Sequence, residues 1–576
     1  MGTRALLLPI VRWMIAQDRA VLRFRGHRGR GHSPFNVTAE PQGGAGQARA
    51  GERLGAVVLS RWSGRLLVLA LACGAGAGRA DDAHHRNNLL GDRALGTGGA
   101  WTGLADDPSA AYYNPAGLGI VSRRSLSASM QLNGFEHVEI DSALEGISDE
   151  DFVFDQRVTI PVFVSAALKF GPRDANDFQQ HAFAFSTFHP SNRSLRFALS
   201  LRAPGEGDVV MRYEDISVID EDKTVWIGPS YSFAFSPLHA LGISVFWSDR
   251  SLVHTESRAR EDEGMGDEVV GNTEYFVVRR TIAELDAQHV VVRLGWVYQL
   301  LPSLRIGLMF QPPGIPISAK SSRQYRRVGT SEDGMGVFHK TIEAEDLPAD
   351  SPIPWEVRLG VGINISSVTR LDFDAALTGP NGSEDDPVEL FGTGGRDDLE
   401  PPGVLMAEKF YRLLTPNFNL GVETMISDVV ILRGGVFTDL SAVPDVHAGD
   451  TYQLSDISRF GASMSVGLRF GDVDMTFGGF IRWGRGETLG IDTREGAENF
   501  YVPHDLEDRT IAFFITGQLS SAKKLLGGAA KGVFGSDAEP TEKPKEKEKP
   551  GEPAQTAPPA STLTPAMPPR ADRTRS

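Results

Sequence analysis

From residue 125 to 520 apolar and polar positions alternate with a period of two. In "EVRLGVGINIS" (356–366), Leu359, Val361, Ile363 and Ile365 share one face, and Arg358, Gly360, Gly362 and Asn364 the other. In "TRLDFDAAL", Leu371, Phe373, Ala375 and Leu377 oppose Arg370, Asp372, Asp374 and Ala376. Successive side chains of a strand point to opposite sides of the pleat, so this pattern predicts strands. Short breaks fall at 171–180, 236–239, 301–303, 366–368, 427–429 and 471–473, and long polar excursions at 136–156, 189–223, 258–285, 325–352, 379–416, 440–458 and 487–507. Tight turns alternating with long loops divide the region into about fourteen strands. The expected fold is all-β: a transmembrane antiparallel β-barrel of about 14 strands, as in the outer membrane of a Gram-negative bacterium. Closing the sheet removes the unpaired edge that lipid does not tolerate. A soluble sandwich rarely needs so many long strands, and no repeated blade motif supports a propeller.

Composition sharpens the picture mainly at the ends. Residues 1–80 hold twelve Arg, no Lys and three acids. Within them "SRWSGRLLVLALACGAGAGRA" has the charged start, apolar core and small-residue finish of a secretory signal. The expected organisation is 1–56 as an over-extended, non-native N-terminus, 57–80 as signal peptide, 81–124 as a segment that the family resemblance given below makes an N-terminal hatch, 125–520 as barrel, and 521–576 as linker plus a disordered Pro/Lys/Glu-rich periplasmic tail. Removing 1–80 takes +9 from a formal charge of -16 and leaves -25, which argues against a nucleic-acid partner, since such a partner favours a basic face. The only cysteine, Cys73, lies in the signal, so disulfide and thiol chemistry drop out. The rival reading is a lipoprotein box at "LALAC", with Ala70 where Leu is usual.

One stretch has neither period. "ALGTGGAWTGLADDPSAAYYNPAGLG" (94–119) is glycine-rich and aromatic. Gly96, Gly98, Gly99 and Gly103 suit positive φ or tight packing. Asp106 and Asp107 before Pro108 suit a turn whose side chains accept from backbone N–H groups. Tyr112 and Tyr113 add bulk with a polar tip, and Pro115 holds Asn114 out of helical angles. This stretch resembles the N-terminal plug and Asn-Pro-Ala signature of the FadL/TodX family of outer-membrane transporters for long-chain fatty acids and hydrophobic compounds. Weaker likeness comes from "SYSFAFSPLHALGISVFWS" (230–248), "RIGLMFQPP" (305–313) and "LRGGVFTDLSAVPD" (432–445). The resemblance implies a lumen closed by a hatch, capture of hydrophobic substrate at the outer loops, an apolar pocket, and passive exit through a wall gap beside a kink in the third strand. Gly98, Gly99, Asp106, Asp107, Tyr113, Asn114 and Pro115 are the hatch candidates, either gating the lumen or only stabilising the plug.

Two further candidates come from the pattern. Pro190 in "HAFAFSTFHPSNRSLRFALSLRA" (181–203) lacks a ladder N–H, so His189, Pro190 and Asn192 mark either a wall kink or an outer loop. In "VLMAEKFYRLL" (404–414), Leu405, Met406, Phe410, Leu413 and Leu414 share a helical face, offering an outer capture patch or packing over the barrel mouth. Acids crowd the first outer loop without ligand spacing, so a solvated face is expected and no metal. His84 and His85 stay unassigned. No nucleophile elbow, phosphate loop or CxxC occurs, so neither enzyme nor cofactor is expected. Expected partners are outer-membrane lipid and lipopolysaccharide, a hydrophobic small molecule, the barrel-assembly machinery, and a periplasmic partner or peptidoglycan through the tail. The competing classes are an outer-membrane lipase and a structural or secretion-associated barrel acting as a docking scaffold.

Overall fold

The computed structural model describes residue 84 and residues 89–519, apart from 122–124, 143, 146–150, 159–162, 174–177, 205–208, 265–274, 331–336, 393–408, 448–454 and 493–500. The expected signal and the Pro-rich tail lie outside these residues.

Fourteen antiparallel strands close into a barrel. In chain order they are β1 (Ser125–Ile140), β2 (Phe152–Val158 and Phe163–Arg173), β3 (Gln179–Pro204), β4 (Val209–Ser236), β5 (His239–Gly264), β6 (Tyr275–Leu301) and β7 (Leu304–Gln311 and Ile315–Thr330). Then follow β8 (Val337–Pro348 and Glu356–Asn364), β9 (Thr369–Thr378), β10 (Thr415–Met425), β11 (Val430–Asp439), β12 (Asp456–Phe470), β13 (Val473–Asp492) and β14 (Tyr501–Leu519). Each strand pairs with its sequence neighbours, and β14 pairs back onto β1 from Leu126↔Leu519 to Ile140↔Leu506, which closes the cylinder. The six short breaks expected from sequence all fall between strands at one end of the barrel, and the chain enters β1 and leaves β14 at that same end.

The burial pattern is inverted relative to a soluble protein. On β8, Leu359 and Ile363 are exposed, while Arg358, Gly360 and Gly362 on the other phase are buried. On β9, Phe373 and Leu377 face out and Asp372 and Asp374 are buried. Phe185, Tyr231, Leu241, Trp247, Leu420 and Phe477 continue the outer apolar surface around the wall. The nine residues Glu356–Asn364, at ~3.3 Å each and tilted by ~40°, rise about 23 Å, close to the ~25 Å apolar band of a membrane barrel.

The long excursions are where expectation and structure part. Residues 189–223, 258–285 and 325–352, expected as loops, are largely strand: β4 runs for 28 residues, which at ~3.3 Å and ~40° tilt rises about 70 Å. Charge hid the alternation. Within "EDISVID" (214–220), Ile216 and Val218 are buried inside the wall while Ile219 faces out. A ladder with charged side chains on its faces continues on cross-strand ion pairs. Examples are Arg250–Asp222 at 2.6 Å and Lys320–Asp346 at 2.5 Å.

Candidate functional site

Residues 89–121 lie inside the strands and are almost wholly buried. They contain two single helical turns, α1 (Arg93–Gly96) and α2 (Ala110–Tyr113), and a 3-10 turn over Pro115–Gly119. So little regular structure leaves many backbone groups unsatisfied, and the barrel wall supplies their partners. Asp374 accepts from Trp101 N (3.1 Å), Thr102 N (3.0 Å) and Thr102 Oγ1 (2.6 Å), and Asp372 accepts from Leu104 N (3.1 Å). Asn419 donates to Gly98 O (2.6 Å), Ser463 to Gly96 O (3.1 Å), Ser244 to Ala111 O (2.8 Å), Ser232 to Ala116 O (3.1 Å) and Ser165 to Pro108 O (3.1 Å).

Asn114 is the pivot of this seat. Pro115 disfavours helical angles there, and Asn114 sits at φ −162, ψ 99. Its Nδ2 donates to Thr102 O and Trp296 O, both at 3.1 Å, and its Oδ1 accepts from Ala116 N at 3.2 Å, capping the turn that follows. The wall approaches so closely that side chains are excluded from it. A Cβ on Gly242 would collide with Pro115, one on Gly295 with Asn114, and one on Gly307 with Thr102 O. Gly242 pairs with Gly295, and Gly307 with Gly360, so glycines on four consecutive strands, β5 to β8, stand against this segment. The segment's own glycines divide by role. Gly98 and Gly99 have φ of +65 and +78, whereas Gly96 and Gly103 need no positive φ and are there for close approach to the wall.

Charge fastens the first turn. Arg93 forks onto Glu423 (2.9 and 2.6 Å), pairs with Asp106, and lies 4.5 Å over the Trp101 ring. Glu423 also accepts from Arg433 (2.8 Å), and Arg370 reaches Asp106 at 3.0 Å. Burial pushes Asp106 up, but Arg93, Arg370 and Arg305 outweigh it and hold this carboxyl below its usual range. Its neighbour behaves oppositely. Asp107 accepts from Ser109 N (2.8 Å) and Trp101 Nε1 (3.3 Å) through Oδ1, while Oδ2 is buried without a hydrogen-bond partner among the described residues. Burial dominates, and the Asp107 pKa rises to about 6.

An acid whose folded pKa exceeds its unfolded value contributes fully below the unfolded value, and that contribution is lost as pH rises through the folded one. A rise from 3.8 to about 6 corresponds to about 3 kcal/mol, at 1.36 kcal/mol per pH unit. The thermal midpoint of the purified barrel should therefore fall between pH 4 and 7 by an increment that Asp107→Asn abolishes. Equal pH dependence in variant and wild type would refute it.

Above α2 an aromatic cluster fills the lumen. Tyr112 meets Phe188 edge-on at 5.2 Å, and Phe188 packs on Phe163 (5.7 Å), Trp226 (5.8 Å) and Phe246 (5.2 Å). The Arg293 guanidinium lies 4.1 Å over Tyr112 and is held by Gln311 (2.9 Å) and Glu356 (3.2 Å). A cavity beside the cluster is lined by Leu89, Tyr112, Tyr113, Phe437 and Phe480, with Arg358, Asn417, Asn419 and Arg482 at its polar side.

Among the described residues, the wall is irregular next to Phe188. The β2–β3 ladder ends at Phe163↔Phe188, and the β3–β4 register shifts between Phe188 and Ser191, where His189 and Pro190 stand against Val225 alone. Among the described residues, β3 beyond Phe188 pairs only with β4. His189, Pro190 and Asn192 lie in a strand with a bulge. Pro190 is buried; His189 and Asn192 are half-buried.

The helical stripe expected at 404–414 does not form where the chain is described. Lys409–Phe410 pairs as a short strand with Val388–Glu389, and Arg412 bridges Asn381. Backbone pairing across the long loop wins over helical spacing there. Phe410 packs against Leu252, Leu285, Leu390 and Phe391, Leu413 and Leu414 are exposed, and Leu405 and Met406 lie outside the described residues. His84, unassigned from sequence, is buried, with Asp439 O 3.0 Å from its Nε2 and Arg459 2.8 Å from its Nδ1. Sequence reading also missed the wall half of the seat. Its signal was present: Gly360 and Asp374 sit on the polar phase of strands whose other phase is apolar.

No family model matches the chain, and no curated protein does. Among solved structures, it is similar to a Pseudomonas aeruginosa FadL homologue at 13% identity, with 77% of this chain and 100% of that one covered and a TM-score of 0.48. It is similar to the P. putida toluene transporter TodX at 12% identity (75% and 99% covered, TM-score 0.45). It is also similar to CymD, a monoaromatic hydrocarbon channel, at 14% identity (75% and 98% covered, TM-score 0.42).

Proposed function

We propose that this protein is a passive outer-membrane channel for small hydrophobic molecules, in which residues 89–121 act as a fixed hatch and solute leaves sideways through the wall at the β3 bulge. The observation that carries this reading is the conjunction at Phe188. An aromatic cluster faces the lumen at the same residue where the β3–β4 register bulges, so an apolar surface leads to an irregularity in an apolar wall. The hatch is anchored from many strands and blocks the axial route, which favours sealing over swinging aside. Hydrophobic solute crossing a lipid-facing wall needs no energy input beyond its gradient.

The test is to straighten β3. Deleting Pro190 places Phe188, His189 and Ser191 opposite Trp226, Val225 and Thr224, restoring one-to-one register. In cells producing the chain, uptake of radiolabelled toluene or oleate should fall at least five-fold relative to wild type at equal amounts of folded barrel. Uptake unchanged by the deletion would overturn the lateral route, and wild-type cells no better than cells without the protein would overturn transport itself.

A further inference from the structure

The barrel wall is broken between β7 and β8, four strands from the β3 bulge. The β7–β8 ladder runs from Leu304↔Ile363 up to Gln311↔Glu356, stops, and resumes only at Lys320↔Pro348. On β7 the residues between are 312–319, and on β8 they are 349–355. Gly314 N bridges the lower end of this interval by donating to Ile353 O (2.9 Å). Above the bridge, Ile315–Ala319 still pairs with β6 on one side, but no β8 pairing exists on the other among the described residues.

The open edge shows in the side chains. Ile315, Pro316, Ile317 and Ser318 are all exposed, four in a row, where a sealed strand such as β12 alternates. Ile315 and Ile317 are 55% and 53% exposed. The missing partner has turned into the lumen. Ser351 Oγ accepts from Arg250 (2.8 Å), Pro354 O accepts from Gln311 Nε2 (3.1 Å), and Ile353 packs against the cluster that contains Tyr112. Immediately inside lies a separate apolar group: Leu252, Leu285, Leu390 and Phe391, with Ala349.

The chemistry suits contact with apolar molecules. Unpaired N–H groups are costly where water is scarce, and this interval carries Pro312, Pro313, Pro316, Pro352 and Pro354, which have none. The β3 bulge is a distinct feature, although both lie in one hydrogen-bonded row through Phe188, Trp226, Ser248, His289 and Pro316.

We propose that the interval between Gly314 and Lys320 is a second lateral window, through which small apolar molecules pass from the outer margin of the bilayer into the chamber formed by Leu252, Leu285, Leu390 and Phe391. This rests on the transport reading. It divides the path in two: admission between β7 and β8, and release at β3.

The chain's one cysteine lies in the expected signal, so Ile317→Cys offers a site that can be obstructed after folding. Uptake of radiolabelled toluene and oleate is measured in cells producing this variant, before and after reaction with a bulky maleimide, with the parent chain as labelling control. Uptake by unmodified Ile317→Cys is the baseline, and the adduct should reduce it at least five-fold. The same adduct on Val337→Cys, which replaces a side chain 77% exposed at the far end of β8, should change nothing. Normal uptake that ignores the adduct at position 317 overturns the window alone. Wild-type cells that take up neither probe overturn the transport reading and the window with it.

Discussion

Gly360→Val should unseat the N-terminal segment while leaving the barrel folded. A Cβ at Gly360 would stand 2.7 Å from Asp374 Oδ1 and 2.7 Å from the Thr102 carbonyl carbon, and would also meet Gly103 N. Two of these three belong to backbone packed between strands, so neither side can retreat. Overpacking of this kind costs ~1–3 kcal/mol. Displacing Asp374 also weakens hydrogen bonds from Trp101 N, Thr102 N and Thr102 Oγ1, and bonds to a charged acceptor contribute ~1.5–3 kcal/mol each. The expected loss of docking free energy is about 4–6 kcal/mol, from one overpacked contact and the weakening of these bonds together. That converts a closed segment into a substantially open one. Trypsin should then cut at Arg93, and a hydrophilic dye excluded by wild-type vesicles should leak through. The control is Gly517→Val, where a Cβ meets nothing within 4 Å. A Gly360→Val barrel that keeps Arg93 protected and stays dye-tight would show that the seat is softer than its geometry implies.

Arg93→Ala should produce the next largest effect, by a different route. The guanidinium is shared by Glu423 and Asp106 and stacks on Trp101. Breaking a buried pair costs ~3–5 kcal/mol because the remaining charge is stranded. Here each acid keeps a second arginine, Arg433 on Glu423 and Arg370 on Asp106, so the lower end applies, about 3 kcal/mol. That is on the order of a hundredfold in the docked-to-undocked ratio. A proteolysis rate for the 89–121 segment measures it directly, using a protease that cuts at aromatic residues. Arg93→Lys should recover only part of the loss, since a point charge cannot fork onto Glu423 and lie over Trp101 together. Full recovery by Lys would mean that charge alone matters.

These two substitutions bear on different halves of one joint, and the halves were unequally legible. The segment 94–119 stood out because it has no period, and Asn114, Pro115, Asp107 and the tyrosines each carry a local reason for their place. Its counterpart did not stand out. Glu423, Asp372 and Asp374 look like any polar phase of a strand until closure of the sheet turns that phase inward. Arg93 and Glu423 are 330 positions apart, and local pattern says nothing about which lumen residue meets which.

The sequence by itself determined the period of two, the six tight turns and the even strand count, because side-chain alternation and turn chemistry are properties of a few neighbouring residues. It also determined that an aperiodic, glycine-rich segment must pack against something. Only the tertiary structure decided that the charged stretches 189–223, 258–285 and 325–352 extend the wall, since a ladder can continue on cross-strand pairs without an apolar face. Only it decided that wall glycines form the seat, that β3 bulges at His189 and Pro190, and that β7 and β8 part between Gly314 and Lys320. Those outcomes depend on register around a closed cylinder, where every strand must satisfy two neighbours at once.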